Sequence, residues 1–371
     1  MYSQHDLDEA VAAGALSADA ATSLRTFVER QRSLPGVDEE HFRLITGFND
    51  IFVAIAAAIL LFAVGWIGQS IGGSLGLTLP EGNGQGPSPL APLAIAATAW
   101  GLALFFTAKR RMALPSILLL LAFVGGTFVA TGFALGLIIG EPSPQNEAIV
   151  MGTIASVAGL VAAGGAWLHW RRFKVPITVA AGAGAVAAIV IGIVIAMLGG
   201  APDESKNLIL TTVLLLGVGV FLFAMRWDSS DPARTTRRSD VAFWLHLLAA
   251  PMIVHPIFTL LGLTEGNITV AGGLIVVALY VALGITALAI DRRALLVSAL
   301  AYVLFALTEL FKQLGAVELN IALTALVIGS ALLLLSAFWH QVRRVVVHQL
   351  PGSLQGKLPL LDRAVSPAPA A

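Results

Sequence analysis

Polar residues are almost absent from ten stretches of this chain and return between them at short intervals. The stretches run approximately over residues 51–70, 91–108, 113–139, 148–168, 176–199, 207–225, 241–263, 268–290, 294–313 and 319–339. A helix needs about 20 mostly apolar residues to cross a hydrocarbon core about 30 Å thick, because each residue rises about 1.5 Å. Uninterrupted runs such as Ile149–Leu168 and Leu208–Met225 present no periodic polar face, so they do not read as water-exposed amphipathic helices. Nor do they alternate apolar with polar positions, as the strands of a membrane barrel do. A helix satisfies its backbone groups within the segment, as hydrocarbon requires. The pattern predicts an all-α fold, a polytopic transmembrane helical bundle of about ten spans.

Composition removes the alternatives. Of 371 residues, 57% are apolar and 12% charged, against roughly 25% charged in a soluble domain. Lys plus Arg and Asp plus Glu number 22 each, so no global charge points to nucleic acid or an acidic partner. The absence of Cys excludes disulfides, thiolate metal sites and cysteine nucleophiles.

The placement of charge then predicts the orientation. Alternate connections hold Arg25, Arg30, Arg32 and Arg43, then Lys109–Arg111, Arg171–Lys174, Arg226–Arg238, Arg292–Arg293 and the segment after the last span. Twenty of the 22 basic residues lie in this set, and only Lys206 and Lys312 in the other. Positive charge is retained on the cytoplasmic side, so both termini are expected there. Residues 1–49 carry eight acids against four bases, the reverse of a secretory leader. Arg outnumbers Lys 17 to 5 and alanine is abundant, a composition suited to a GC-rich bacterial genome. The expected location is a bacterial plasma (inner) membrane.

The expected division is a cytoplasmic helical head with an interfacial helix over 1–49, a ten-span bundle over 50–340 and a cytoplasmic tail over 341–371. The longest outer loop, Ile71–Leu90, is rich in Gly and Pro and reads as irregular. No connection reaches the roughly 50 residues that a catalytic domain with its own core needs. No phosphate loop, zinc-binding His-Glu-x-x-His, nucleophile elbow or dinucleotide fingerprint occurs. No enzyme activity, cofactor or nucleic-acid partner is therefore expected. A pattern R-R-x-x-x-P recurs 61 residues apart, at Arg110–Pro115 and Arg171–Pro176. It reads either as duplication of a helical hairpin or as the spacing that two spans and two short loops impose.

In the head, Asp6–Ala13 reads as a short helix ended by Gly14. Ser17 N-caps a second helix over Ala18–Arg32, which Leu34-Pro35-Gly36 breaks. Asp38-Glu39-Glu40 opens a third, whose Phe42, Ile45 and Phe48 share one side and suit the membrane surface. The runs 7–21 (Leu-Asp-Glu-Ala-Val-Ala-Ala-Gly-Ala-Leu-Ser-Ala-Asp-Ala-Ala) and 38–53 (Asp-Glu-Glu-His-Phe-Arg-Leu-Ile-Thr-Gly-Phe-Asn-Asp-Ile-Phe-Val) carry a resemblance. Over about the first 70 residues the chain resembles a bacterial family of predicted multi-pass membrane proteins of unknown function. The resemblance implies a short helical cytoplasmic head joined to many spans, and no activity or catalytic residue.

Ionisable residues within spans are the candidates for chemistry, since burying a charge in hydrocarbon costs at least a few kcal/mol. Glu309 and Lys312 share one face of the ninth span near its outer end, as a wet surface pair or a charged group on an outward cavity. His255 lies in the seventh span beside Pro256, with Pro251 one turn earlier. Two prolines predict a kink with freed carbonyls, and His255 is either a proton-switching group or a neutral partner for them. His255, Glu309 and Lys312 together form the candidate intramembrane polar cluster. His169 with His246 is the pair that bis-histidine haem ligation would use, although His is common at inner span ends. Asn49 and Asp50 are expected to cap the entry of the first span, with a cytoplasmic gate or cation site as the alternative. Gly132, Gly136 and Gly140 form a stripe expected to pack closely against a neighbouring helix.

Two functions follow. The head and bundle bind protein partners as a scaffold or regulator, through residues 1–49 and with the lipid bilayer as solvent. Alternatively the bundle is a permease for a small or apolar solute, driven or not by protons.

Overall fold

The computed structural model describes residues 11–14, 16–33, 48–81, 84–199, 205–232, 234, 236–263, 269–313, 315, 318–356 and 358–361. They fall into two compact units, one of 1–43 with 362–371 and one of 44–361. In the first, helix α1 (Ala18–Ser33) starts where expected. Ser17 Oγ accepts from the Ala20 amide at 3.1 Å, and Gly14 sits at φ +70° just before it. The expected surface helix from Asp38 lies outside the described residues, apart from Phe48.

The second unit is helical almost throughout. Its long helices are α2 (Phe48–Ser74), α3 (Leu90–Phe106), α4 (Ala113–Ile139), α5 (Glu147–Phe173), α6 (Ile177–Leu198), α7 (Lys206–Ser229), α8 (Arg237–Leu260), α9 (Val270–Ile290), α10 (Ala294–Gln313) and α11 (Asn320–Ala337). Two short helices follow, α12 (Trp339–His348) and α13 (Gly352–Gln355). Between α2 and α3, β1 (Pro80–Glu81) pairs antiparallel with β2 (Gly84–Gln85). Among the described residues nine helices are long and apolar enough to cross a membrane; the remaining apolar one, α3, has 17 residues. Seventeen residues span about 25 Å, the lower edge of what a bilayer core accepts. The chain has the make-up of a polytopic integral membrane protein.

Consecutive long helices pack against each other from α2 to α8 and again from α9 to α11, with α5–α6 the most extensive pair and α8 reaching α6, α7 and α10 rather than α9. Half of the most apolar window of α8 is buried, against 11% for α11, so α8 is central and α11 presents apolar surface outward. Hydrophobic collapse cannot hold apolar helices together in lipid, so close backbone approach and polar contacts do. Small residues supply the approach. A Cβ on Gly152 would lie 2.4 Å from the Gly192 carbonyl, and one on Gly126 2.8 Å from the Pro92 carbonyl. A Cβ on Gly217 of α7 would lie 2.9 Å from the Met252 backbone of α8, four residues before Pro256, where no N–H exists to bond the Met252 carbonyl.

The expected close packing of Gly132, Gly136 and Gly140 is corrected. Their nearest neighbours are the Ile154 side chain at 3.8 Å for Gly132 and the Leu79 side chain at 3.1 Å for Gly136. Gly140 has open space and ends α4 at φ +75°. The spacing marks where a backbone can approach, and the fold brings a backbone to Gly126 instead.

The turns show one rule. The described non-Gly residues at positive φ are Arg111, Lys174, Arg234 and Asp291, one in each of the connections α3–α4, α5–α6, α7–α8 and α9–α10. The opposite connections place Gly76, Gly140, Gly199, Gly262 and Gly315 there. A left-handed residue closes a helix end at least cost when it is Gly. The arginine-bearing connections use charged residues despite a cost of about 1 kcal/mol each.

Two expected boundaries move. Helix α2 begins at Phe48, so Asn49 and Asp50 lie inside its first turn rather than ahead of it, with Asp50 buried. An acid there still opposes the positive helix end. Of the segment expected as a cytoplasmic tail over 341–371, Val347 and Leu358 pack into the core cluster of Leu288, Leu295, Leu296 and Trp339. The buried face of α12 consists of Trp339, Arg343 and Val347.

Candidate functional site

The prolines of α8 do not interrupt it, and His255 on its exposed side shares a 2.6 Å hydrogen bond with the Tyr302 hydroxyl of α10. Phe258 stacks on that Tyr302 ring at 4.6 Å. Glu309 and Lys312 pair with each other at 3.6 Å along α10, their side chains 23% and 52% exposed. No hydrogen bond or ion pair joins His255 to them among the described residues. The three residues therefore form two separate contacts on the α8–α10 side of the bundle. The histidines considered for haem each bond through one ring nitrogen, and His169 Nε2 and His246 Nδ1 have no hydrogen-bond partner among the described residues. His169 Nδ1 lies 3.2 Å from Thr178 Oγ1 within a ring of Trp100, Phe123 and Phe173, and His246 bonds a carboxylate.

That carboxylate belongs to the largest buried network of charged side chains among the described residues. Asp228 ends α7 with 1% exposure. Its Oδ2 accepts from His246 Nε2 of α8 at 3.0 Å, and its Oδ1 from Arg292 Nη2 at 2.6 Å. Arg292 Nη2 also donates to the Ser239 carbonyl of α8 at 3.1 Å, and the guanidinium lies over the Phe243 ring. A carboxylate only accepts, so the Nε2–H tautomer of neutral His246 fits. Its Nδ1 is then a buried lone pair with no hydrogen-bond partner among the described residues.

A second layer lies beside the first. Asp291 holds the left-handed position that ends α9, a conformation Asp tolerates. Arg234 donates Nη1 to Asp291 Oδ2 at 2.8 Å and Nη2 to the Ile290 and Asp291 carbonyls at 3.0 and 3.2 Å. The guanidinium thus caps a helix C-terminus whose carbonyls have no partners within the helix. Trp339 Nε1 donates to Asp291 Oδ1 at 2.7 Å. Arg343 faces the same oxygen at 3.7 Å and donates to the Pro359 and Leu360 carbonyls at 2.7 and 3.2 Å. The Leu360 amide in turn donates to the Pro232 carbonyl at 3.4 Å.

Local sequence explains how the α7–α8 turn holds its arginine. Asp231 Oδ2 accepts from the Thr236 amide and hydroxyl at 2.9 and 2.7 Å, while Thr236 Oγ1 caps α8 by accepting from the Arg238 amide. Burial, and then the nearby Arg292 charge, pull Arg234 down to about 10, opposed by the Asp291 and Asp228 carboxylates, so it stays cationic at neutral pH. Burial by itself would raise the Asp291 carboxyl. Arg234 and Arg343, with the Trp339 hydrogen bond, outweigh it and hold the group below the usual carboxylate range.

Chemically, the assembly ties the ends of α7, α8, α9, α10 and α12 and the 358–361 segment into one buried ionic lattice. Of its members only His246 stood out as a candidate in the sequence. The others read as ordinary inside charges, because sequence shows that Arg292 lies at a turn but not that it is 3% exposed. The available signal was Asp228, the acid that follows Arg226 in the last turn of α7. No family model, no curated protein and no solved structure matches the chain.

Proposed function

We propose that this is a scaffolding or regulatory protein of a bacterial plasma membrane, crossing it ten times with both termini in the cytoplasm. In this reading the bundle anchors and the head, residues 1–49, docks a protein partner. The observation that supports it most is the buried Asp228–His246–Arg292 and Arg234–Asp291–Arg343 lattice. It joins five helix ends at connections that the distribution of basic residues along the sequence assigns to the cytoplasm, which would make that end a firm platform. A firm cytoplasmic end suits a mount better than a moving gate.

The test compares the full chain with a deletion of residues 1–37 by affinity purification from native membranes. A stoichiometric partner captured by the full chain and lost on deletion is expected, with insertion unaffected. A truncated chain that keeps every partner removes the docking role.

The second reading, a permease, is favoured by one observation: the exposed His255–Tyr302 hydrogen bond joins α8 and α10 just beside the backbone left unbonded by Pro256. If this contact, or the separate Glu309–Lys312 pair, carries proton-linked flux, His255→Ala or Glu309→Gln respectively abolishes solute uptake into vesicles while the protein still inserts. Full uptake in both variants removes the site.

A further inference from the structure

The connections α3–α4 and α5–α6 carry the repeated arginine pattern, and the fold gives the two turns the same build. Lys109, Arg110 and Arg111 lie in the first, and Arg171, Arg172 and Lys174 in the second, all six exposed. In each turn the last cation holds the left-handed backbone conformation, Arg111 at φ +54° and Lys174 at φ +56°. A buried apolar residue follows it, Met112 in one and Val175 in the other. The turns are neighbours. Phe106 and Phe173 pack against one core cluster, that of Ala99, Ala103 and Leu119, and Phe173 meets the Trp100 ring of α3 at 5.2 Å. Aromatic rings seat five of the cations. Lys109 and Arg110 lie over Phe105 at 6.0 and 5.5 Å, and Arg171 over Trp167 at 5.1 Å. Arg172 lies over Phe173 at 5.6 Å and Lys174 over Trp170 at 5.3 Å.

None of the six makes an ion pair or a side-chain hydrogen bond among the described residues. The adjoining chain supplies no counter-charge, for no acid occurs over residues 82–140 or 148–202. The other two turns with a charged left-handed residue use it internally, Arg234 pairing with Asp291 at 2.8 Å. Gly would hold the conformation of Arg111 and Lys174 at less cost. Their charge is therefore kept for something outside the chain.

We propose that these two turns together bind the headgroups of anionic phospholipids in the leaflet they meet. Six cations without an internal counter-charge select an anion, and their place selects a lipid. They stand at the ends of α3 and α5, beside the exposed apolar side chains of Leu104, Phe105, Trp167 and Leu168. Aromatic and basic residues meet at span ends where the bilayer meets water, and clusters of about four to eight Lys and Arg beside a span attract anionic lipid. An acidic protein segment would leave Phe105 and Trp167 bare, whereas a lipid covers ring and cation together. The seats suit this use. A guanidinium lying on a ring keeps the N–H groups of its edges, which meet a phosphate with two donors at once. The inference rests on a chain that spans a bilayer. It holds whichever partner the head docks and whichever side these turns face.

The experiment titrates the purified, delipidated full chain in detergent with phosphatidylglycerol and with phosphatidylcholine of the same chains. Native mass spectrometry reads the lipid retained. Phosphatidylglycerol is expected to be retained in preference. The preference should fade as ammonium acetate rises, since screening shortens from about 10 Å at 0.1 M to about 3 Å at 1 M. Lys109→Gln with Arg110→Gln is expected to lower the preference about fivefold or more, the scale of one cation at a membrane surface. Arg171→Gln with Arg172→Gln is expected to do the same. The control is Arg237→Gln with Arg238→Gln, which also removes two exposed basic residues, from a stretch that holds Asp228, Asp231 and Asp240. It is expected to leave the preference nearly unchanged. Equal retention of the two lipids overturns the proposal. An equal loss from the control pair overturns it as well, by making the preference a property of total charge. Thermal unfolding adds inorganic phosphate as a probe, and stabilisation equal to that by phosphatidylglycerol makes this a soluble-anion site and overturns the assignment. Carbodiimide coupling of the unaltered, lipid-saturated chain needs no variant. Lys109 and Lys174 are expected to stay unlinked, and a link from either to an acid of residues 1–49 would make the head the occupant in place of lipid.

Discussion

Asp228→Ala is expected to lose about 3–5 kcal/mol of stability, the scale on which a buried ion pair fails when one partner goes. The reason is the state in which it leaves Arg292. That guanidinium is 3% exposed and would keep only the Ser239 carbonyl and hydroxyl as hydrogen-bond acceptors, with Asp291, already paired to Arg234, as the carboxylate left near it. His246 Nε2 would lose its acceptor as well. The measurement is thermal unfolding in detergent, together with the yield of inserted protein. The double variant Asp228→Leu with Arg292→Met separates charge from packing. It removes both buried charges at similar volume and is expected to recover most of the loss, since such replacements are often neutral or better. An Asp228→Ala protein that melts with the unaltered chain would sink the reading of a locked cytoplasmic end.

Gly192→Leu is expected to have the other large effect. A Cβ at Gly192 would stand 2.6 Å from the Gly152 carbonyl and 2.8 Å from the Ser156 amide, and backbone atoms cannot rotate out of the way. Ser156 Oγ also donates to the Ile189 carbonyl across the same seam at 3.2 Å. A side chain there pushes α5 from α6 and breaks that bond. Overpacking costs about 1–3 kcal/mol where side chains can yield, and backbone against backbone lies at or beyond the top of that range. Gly132→Ala is the matched control. Its Cβ would meet only Ile154 at 3.8 Å, an ordinary contact, and replacing a helical Gly gains about 0.5–1 kcal/mol. Thermal unfolding of the two variants should therefore move in opposite directions. A Gly132→Ala protein destabilised like Gly192→Leu would return the close packing to the Gly132 stripe.

Much of the architecture was legible because membrane solvation acts on each segment by itself. An apolar run of about 20 residues becomes a helix whatever its neighbours are. The ten apolar stretches accordingly correspond one to one with α2–α11, with ends that moved by a few residues. Ser17 and Gly14 act locally too, through one hydrogen bond and one backbone angle, and both were readable in the head. The same holds for Glu309 with Lys312, which face each other by helical spacing alone.

Partners distant in sequence were not legible. Asp228 and Arg292 are 64 residues apart and Arg234 and Asp291 57 apart, and nothing local to either end names the other. Charge counting placed these arginines in turns between spans and stopped there, because that rule acts on the number of charges and not on their burial. The tail shows the same division. Its polar pattern hides that Arg343 faces inward to the Pro359 and Leu360 carbonyls, and only the packing of α12 reveals it. The glycine stripe was judged by spacing, yet close approach needs a second backbone, which the fold delivers to Gly126, Gly152 and Gly192. Sequence by itself determined which segments are apolar helices, because transfer into lipid is a sum over local residues. Tertiary structure alone decided which charges are buried and with whom, because pairing is a property of two places in the chain at once.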